Sequence, residues 1–413
     1  MLKNSRFELV TRRDLLRDAS MAVAAGMGVA AGTNLVQGLF QPAHADWARA
    51  NMPINGVVGS GMEDFEAAVL QLISEGEVPA ALLCVSKNGQ IVFSRAYGWL
   101  DSRLKTALPV NARIGLASLD KIITATAIDI LCRRGAHIPK SSQTFSKSLR
   151  PFVLFQEMGI APPNGYVRDP RLLGATVDNL LNHQVGLNDS VHFGFELQKV
   201  LGIRTLPTTA DAMRYHYFQT LNRPITDKYE YSSAGFMVLR YLIDIAGGGF
   251  LNFLKREVFG PAGSTDICQS HARIRERDPL EVRYVCSASG PSILPEDKGA
   301  IVPETEGGNG RYVDYHLVLA ASAEAVVRYL SYWNWGTAER LWTGSPAELS
   351  PGINNGYHFF NGRMAAIRTA MQQRRNTMCN FALLTNWAKD RPYVKPPDFH
   401  ERLETVLTRH GWM

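Results

Sequence analysis

The spacing of hydrophobic positions changes several times along the chain, and each change marks an element. Residues 62–76, MEDFEAAVLQLISEG, repeat apolar side chains at helical intervals and stop at a glycine, which predicts a helix. In the next stretch, ALLCVSKNGQIVFSRAYGWL, two apolar runs rich in β-branched and aromatic residues flank Asn88-Gly89, a strong hairpin signal. From about 112 to 257 the pattern is helical, most clearly in VDNLLNHQVGL, TADAMRYHYFQTL and AGFMVLRYLIDIAGG. Residues 258–313, rich in Gly, Pro and charge, predict irregular surface structure, and a further helix follows over 322–333. Strand spacing returns in YHFFNGRMAAIRTAM and NTMCNFALLTNW, and the chain closes on a helix around HERLETVLTRHGW. Strands at both ends enclosing helices predict an α+β fold. Its antiparallel sheet is built from the N- and C-terminal parts and flanked by helices, with a mostly helical lobe, about 112–257, inserted between them.

Residues 1–45 stand apart from this pattern. TRRDLLRDASMAVAAGMGVAAG joins Arg12-Arg13 to a weakly apolar run, Ala19–Gly32, of about 14 residues, too short to span a bilayer. Paired arginines before such a run read as a twin-arginine export signal. PAHADW, with Ala43 and Ala45 around His44, offers a small-x-small cleavage site and a mature start at Asp46. The expectation is a protein of residues 46–413 released to the periplasm or secreted, with no stable membrane span in the mature chain.

With 413 residues, 46% apolar and 20% charged, the chain can bury a large core. A net charge of +6 with no basic stripe argues against a nucleic-acid partner. Cys84, Cys132, Cys268, Cys286 and Cys379 form no C-x-x-C pair; Cys268 and Cys286 are near enough in sequence for a disulfide in an oxidising compartment. Ten histidines, scattered and without H-E-x-x-H, predict no metal site, and no cofactor motif is present.

The chemistry concentrates in ARIGLASLDKIITATAIDIL, residues 112–131. On a helix Ser118 and Lys121 share a face, so a lysine held in apolar surroundings points at the hydroxyl and can accept its proton. The apolar run after Lys121 reads as a helix buried on every side, ended by Arg133, Arg134 and Gly135. The competing reading makes Ser118 a helix N-cap and lets Lys121 snorkel to solvent. The chain carries its own control: Ser102 and Lys105 also fit S-x-x-K, but in a polar loop, LDSRLKTALP.

This stretch resembles the nucleophile helix of the serine β-lactamase and penicillin-binding-protein superfamily, in particular its class C-like branch of esterases, D-aminopeptidases and DD-carboxypeptidases. Three further segments resemble that branch in the right order. ATVDNLLNHQVGLND is similar to its LLxHxSGL segment, YEYSSAGFMVLRYLIDIAGG to its Y-x-N motif and following helix, and FFNGRMAAIRTAM with FALLTN to the strand bearing K/H-x-G. Together they span roughly residues 60–410.

The resemblance implies Ser118 as the acylated nucleophile, Lys121 as its proton acceptor and Tyr231 as second base and leaving-group acid, with Tyr229 a rival two residues earlier. It implies an oxyanion hole of the Ser118 and Arg363 backbone N–H groups, beside Gly362 on the substrate strand Phe360-Asn361-Gly362. His183 in LLNHQVGL reads as structural. Two positions depart from the family: Ser233 stands for the asparagine of Y-x-N, and Phe360 for the cation of K/H-x-G. His358, after a two-residue strand slip, or Arg363 would restore charge. An intact Ser-Lys-Tyr set with neither amide nor cation favours an exported serine hydrolase of carboxylic esters. The alternatives are a β-lactamase or D-amino-acid peptidase or amidase of the same superfamily, an acyltransferase, or a catalytically weak binding protein. The expected partner is a small-molecule ester or amide, with the oligomeric state open.

Overall fold

The computed structural model describes residues 52–76, 78–188, 193–226, 228–307, 317–333, 357–374, 376–388 and 399–412. The segment read as an export signal, residues 1–45, and the end of the 258–313 stretch lie outside these residues. Strand β1 (Ile54–Val58) precedes helix α1 (Glu63–Glu75), and a hairpin of β2 (Ala80–Lys87) and β3 (Gln90–Asp101) follows. The hairpin turns as the sequence predicts. Asn88 and Gly89 both take positive φ, 52° and 76°, the combination that matches the right-handed twist of the flanking strands.

After the short β4 (Thr106–Ala107) and β5 (Ile114–Gly115) comes helix α2 (Asp120–Arg134), stopped by Gly135 at φ 54°. The helical lobe continues through α3 (Val177–Leu181) and α4 (Ser233–Gly247). It starts later than the apolar pattern suggests, because Ile114–Gly115 is a strand and not helix. Residues 258–307 are less irregular than their composition predicts. They contain β6 (Ile267–Gln269) and a two-stranded pair, β7 (Ser289–Pro291) with β8 (Ile301–Pro303), and bury Val282, Tyr284 and Ile293. Next come β9 (Leu319–Ala321), helix α5 (Ala323–Tyr332), β10 (Tyr357–Met364), β11 (Ile367–Arg374), β12 (Cys379–Asn386) and helix α6 (Phe399–Arg409).

YHFFNGRMAAIRTAM is therefore two strands, turned at Ala365-Ala366, where Ala366 takes φ 58°. A turn of two alanines carries none of the Gly, Asn or Pro that marks one in sequence.

The main sheet runs β1-β3-β2-β12-β11-β10, with β4 paired to β3. Its middle is the antiparallel junction of β2 and β12, from Ala80↔Asn386 to Lys87↔Cys379, so the two ends of the chain form one sheet as predicted. Alternate β2 side chains feed two cores. Ala81, Leu83 and Val85 pack with Phe65 and Val69 of α1 and Leu403 and Leu407 of α6. Ala80, Leu82 and Cys84 face the larger core containing Ile123 of α2, Phe236 and Leu239 of α4, and Val326 of α5. A small sheet, β5-β9-β6, lies where the chain enters α2. Among the described residues no single helix is long and apolar enough to cross a membrane. All five cysteines are free, so the Cys268–Cys286 disulfide is not formed; burial of Cys286 pushes its thiol up to about 11.

Candidate active site

Ser118 sits between two well-anchored pieces. Upstream, β5 pairs with β9, and the Tyr284 hydroxyl accepts the Gly115 N–H at 2.8 Å. Downstream, α2 is buried along almost its whole length. The link is a 3₁₀ turn, Ala117–Leu119, with Ala117 at φ 50°, a left-handed conformation costly for a residue with a Cβ. The turn leaves Ser118 half-buried ahead of α2 rather than capping it, and that helix has no side-chain N-cap. The N-cap reading of Ser118 is thereby excluded.

Lys121, one helical turn on, is 3% exposed and does not snorkel. Its Nζ donates to Ser118 Oγ at 3.3 Å and lies 4.9 Å and 5.7 Å from the ring centroids of Tyr231 and Phe236. Ring faces attract a cation that has given up water, which helps keep a lysine at this depth. The Tyr231 hydroxyl meets Ser118 Oγ at 2.5 Å, a bond in which either oxygen can donate. Ser118, Lys121 and Tyr231, picked from one chain by motif, thus meet at one oxygen. The rival Tyr229 instead turns its ring edge to His183, 5.2 Å away at 76°. The control pair lies elsewhere: Ser102 and Lys105 occupy the turn after β3, with Lys105 exposed at φ 53°.

His183 is the floor under Tyr231. The two rings stack with centroids 4.8 Å apart at 25°, and Phe236 packs on the same imidazole at 5.0 Å. Its Nδ1 accepts the Ser232 N–H at 2.9 Å. Burial first, and the nearby Lys121 charge second, push its pKa down to about 3, so the ring is neutral at physiological pH. Ser232 in turn caps α4, its hydroxyl accepting the Gly235 N–H at 3.1 Å. Ser233 opens that helix, partly exposed.

The opposite wall is β10, the last strand in the sheet order among the described residues. A Cβ on Gly362 would fall 2.8 Å from Leu116 O and 3.0 Å from Ser118 N, so only glycine lets the strand pass this close to the serine. Phe360 shares the Gly362 face and is buried. Asn361 and Arg363 point to the other face and are exposed. The Arg363 side chain therefore leaves the strand on the side opposite the one Phe360 occupies. β10 pairs with β11 without a slip, Phe360↔Met371 and Gly362↔Thr369, so His358 stays two positions upstream, opposite Gln373, and the slip that would substitute it does not occur. The side chain of His358 lies outside the described structure.

One pair went unnoticed in the sequence. Asp120, between Ser118 and Lys121, bonds Arg240 of α4 at 2.5 Å with both side chains buried, 2% and 6% exposed. The available signal was an acid and an arginine, each set into an otherwise apolar helix. Among the described residues no group of His, Cys, Asp or Glu is arranged to hold a metal ion. The arrangement offers a hydroxyl with two neighbours able to exchange its proton, at the start of a helix, whose positive dipole end favours an oxyanion.

The Beta-lactamase family model matches residues 62–278, more than half the chain. Penicillin-binding protein 4* of Bacillus subtilis (strain 168) is 24% identical over 216 residues, covering 51% of this chain and 43% of that protein, so the chain matches less than half of that relative's length. The solved structures that share the fold include the following two. The octameric penicillin-binding protein homologue from Pyrococcus abyssi has a TM-score of 0.55 and 17% identity, covering 85% of this chain and 78% of that one. The D-amino acid amidase from Ochrobactrum anthropi SV3, complexed with L-phenylalanine amide, has a TM-score of 0.56 and 16% identity, covering 84% and 98%. The chain belongs to the Beta-lactamase family, within the serine β-lactamase and penicillin-binding-protein superfamily of serine hydrolases.

Proposed function

We propose that the protein is an exported serine hydrolase that cleaves a carboxylic ester through an acyl-enzyme on Ser118. The observation that carries this reading is the convergence of the Tyr231 hydroxyl, at 2.5 Å, and Lys121 Nζ, at 3.3 Å, on Ser118 Oγ. As Oγ attacks the ester carbonyl, an unprotonated Lys121 Nζ takes its one proton and passes it on to the Tyr231 oxygen. Negative charge building on the carbonyl oxygen is met by the backbone N–H groups of Ser118 and Arg363. Tyr231 returns the proton to the departing alkoxide, and water, activated by the same pair, then releases the acid.

The substrate class follows from what the walls lack. A cation two residues before the strand glycine would bind a carboxylate; Phe360 puts a buried ring there instead. Ser233 is shorter than the amide the motif carries and cannot grip a substrate amide side chain in the same way. Both changes disfavour β-lactams and D-amino-acid peptides and suit an uncharged ester. Full-length protein assayed with p-nitrophenyl butyrate and a chromogenic cephalosporin is expected to turn over the ester with the higher kcat/KM; preference for the cephalosporin would overturn the substrate assignment. For export, the support is Arg12-Arg13 and the Ala43-His44-Ala45 site. The expectation is that Arg12→Lys with Arg13→Lys retains the protein in the cytoplasmic fraction, and unchanged fractionation would remove the twin-arginine reading.

A further inference from the structure

Tyr231 has to hold its phenol at 2.5 Å from Ser118 while 39% exposed, on a stretch that is neither helix nor strand. Something other than regular structure must fix it. The segment 183–186 and the segment 222–232 are laced together: Asn222 N–H to Gly186 O at 2.8 Å, Glu230 N–H to His183 O at 3.0 Å, and Ser232 N–H to His183 Nδ1 at 2.9 Å. His183 itself takes φ 55°, a strained conformation for a residue with a Cβ, which neighbouring bonds must hold in place.

One side chain reaches every part of this lacing. The Arg223 guanidinium, 16% exposed, donates to His183 O at 2.8 Å, Glu230 Oε2 at 2.5 Å and Thr226 Oγ1 at 3.2 Å. Its stem lies along Gly186, where a Cβ would come 2.8 Å from Arg223 Cγ, and Gly186 at φ 73° leaves the room. His183, whose carbonyl Arg223 holds, carries the imidazole that stacks on Tyr231; Glu230, whose carboxylate it holds, is the residue before Tyr231. We infer that Arg223 is a positioning residue, which sets the Tyr231 phenol against Ser118 by clamping the His183 carbonyl and Glu230. The inference rests on the assignment of Tyr231 as proton carrier.

The bonds that the Arg223 guanidinium donates differ in weight. Glu230 is 57% exposed, so its ion pair with Arg223 is screened by solvent and salt. The bond to the His183 carbonyl is partly buried and carries the placement. Glu230→Gln should accordingly cost little, and Arg223→Lys, which reaches the carbonyl but cannot fork, should fall between wild type and Arg223→Met.

The test is a double-mutant cycle of Arg223→Met and Tyr231→Phe in the full-length chain, with kcat and KM for p-nitrophenyl butyrate and thermal midpoints for each protein. A misplaced phenol is expected to lower kcat on the order of 10²-fold with KM nearly unchanged. In the Tyr231→Phe background, Arg223→Met should add almost nothing, because the group it positions is already gone. Arg223→Lys should recover part of the lost kcat, which a protein impaired only in stability would not show. Full multiplication of the two losses, or wild-type kcat in Arg223→Met, overturns the positioning role while leaving Tyr231 as proton carrier. Wild-type activity in Tyr231→Phe removes that assignment and the inference with it.

Discussion

At Ser118 the hydroxyl proton has two places to go, and their geometry separates the roles of the neighbours. Lys121 is fixed by its helix and by burial, whereas Tyr231 stands at the solvent boundary, where a leaving group departs. Replacing Lys121 with Met should lower the acylation rate by about 10²–10⁴-fold, the usual span for a lost proton-transfer group; stopped-flow release of p-nitrophenol measures it, and an unchanged burst would contradict the role. Phe360 makes a different prediction. Phe360→Lys restores a cation beside Gly362 and should improve kcat/KM for substrates bearing a carboxylate relative to neutral esters; no change in that ratio would mean that the ring does not set selectivity.

Among the elements, β10 and α2 bear most directly on the site. Gly362→Ala places a Cβ 2.3 Å from Thr369 Oγ1, 2.8 Å from Leu116 O and 3.0 Å from Ser118 N, and two of those atoms are backbone. The strand must shift away from the serine, so ester turnover is expected to fall on the order of 10²-fold while the protein still folds. Helix α2 is joined to α4 by the buried Asp120–Arg240 pair. Arg240→Met leaves the Asp120 carboxylate buried alone and should lower unfolding stability by about 3–5 kcal/mol in denaturant titrations; Asp120→Leu with Arg240→Met should recover much of that. The hairpin at Asn88-Gly89, the buried course of α2 and its stop at Gly135 could all be read from the chain, because local residue choice dictates each. The Ala365-Ala366 turn, the β5 strand and the Asp120–Arg240 pair could not: the first lacks turn residues, the second is two residues long, and the third joins positions 120 residues apart. Ser118, Lys121 and Tyr231 were legible through their motifs, and Arg223 was not, since its partners are mostly carbonyls and a surface acid.

For the molecule as a whole, two buried histidines set an acid limit. His183 and His216 have pKa values pushed down to about 3 and 4, in both chiefly by burial, from an ordinary value of 6.5. The unfolded chain therefore binds more protons than the folded one below pH 6.5. Their contribution is fully present above that pH and is lost as the pH falls toward 4 and 3, at up to about 1.4 kcal/mol per pH unit for each proton. Between pH 6.5 and 5, before most carboxylates titrate, the thermal midpoint should already decline, and His216→Phe should flatten part of that slope. A midpoint constant over this range would contradict the burial of both rings. The sheet shared by the two ends of the chain carries the same lesson at this scale: β2 meets β12 across almost 300 residues, and only the matching strand patterns at the termini announced it.

The central claim is that Ser118, and no other serine, carries the acyl group. Intact-mass spectrometry of full-length wild type, Ser118→Ala and Ser102→Ala during turnover of p-nitrophenyl butyrate tests it directly. A butyryl adduct on wild type and Ser102→Ala that is absent from Ser118→Ala is the predicted result. An adduct that persists in Ser118→Ala, or ester hydrolysis equal in all three proteins, would contradict the account.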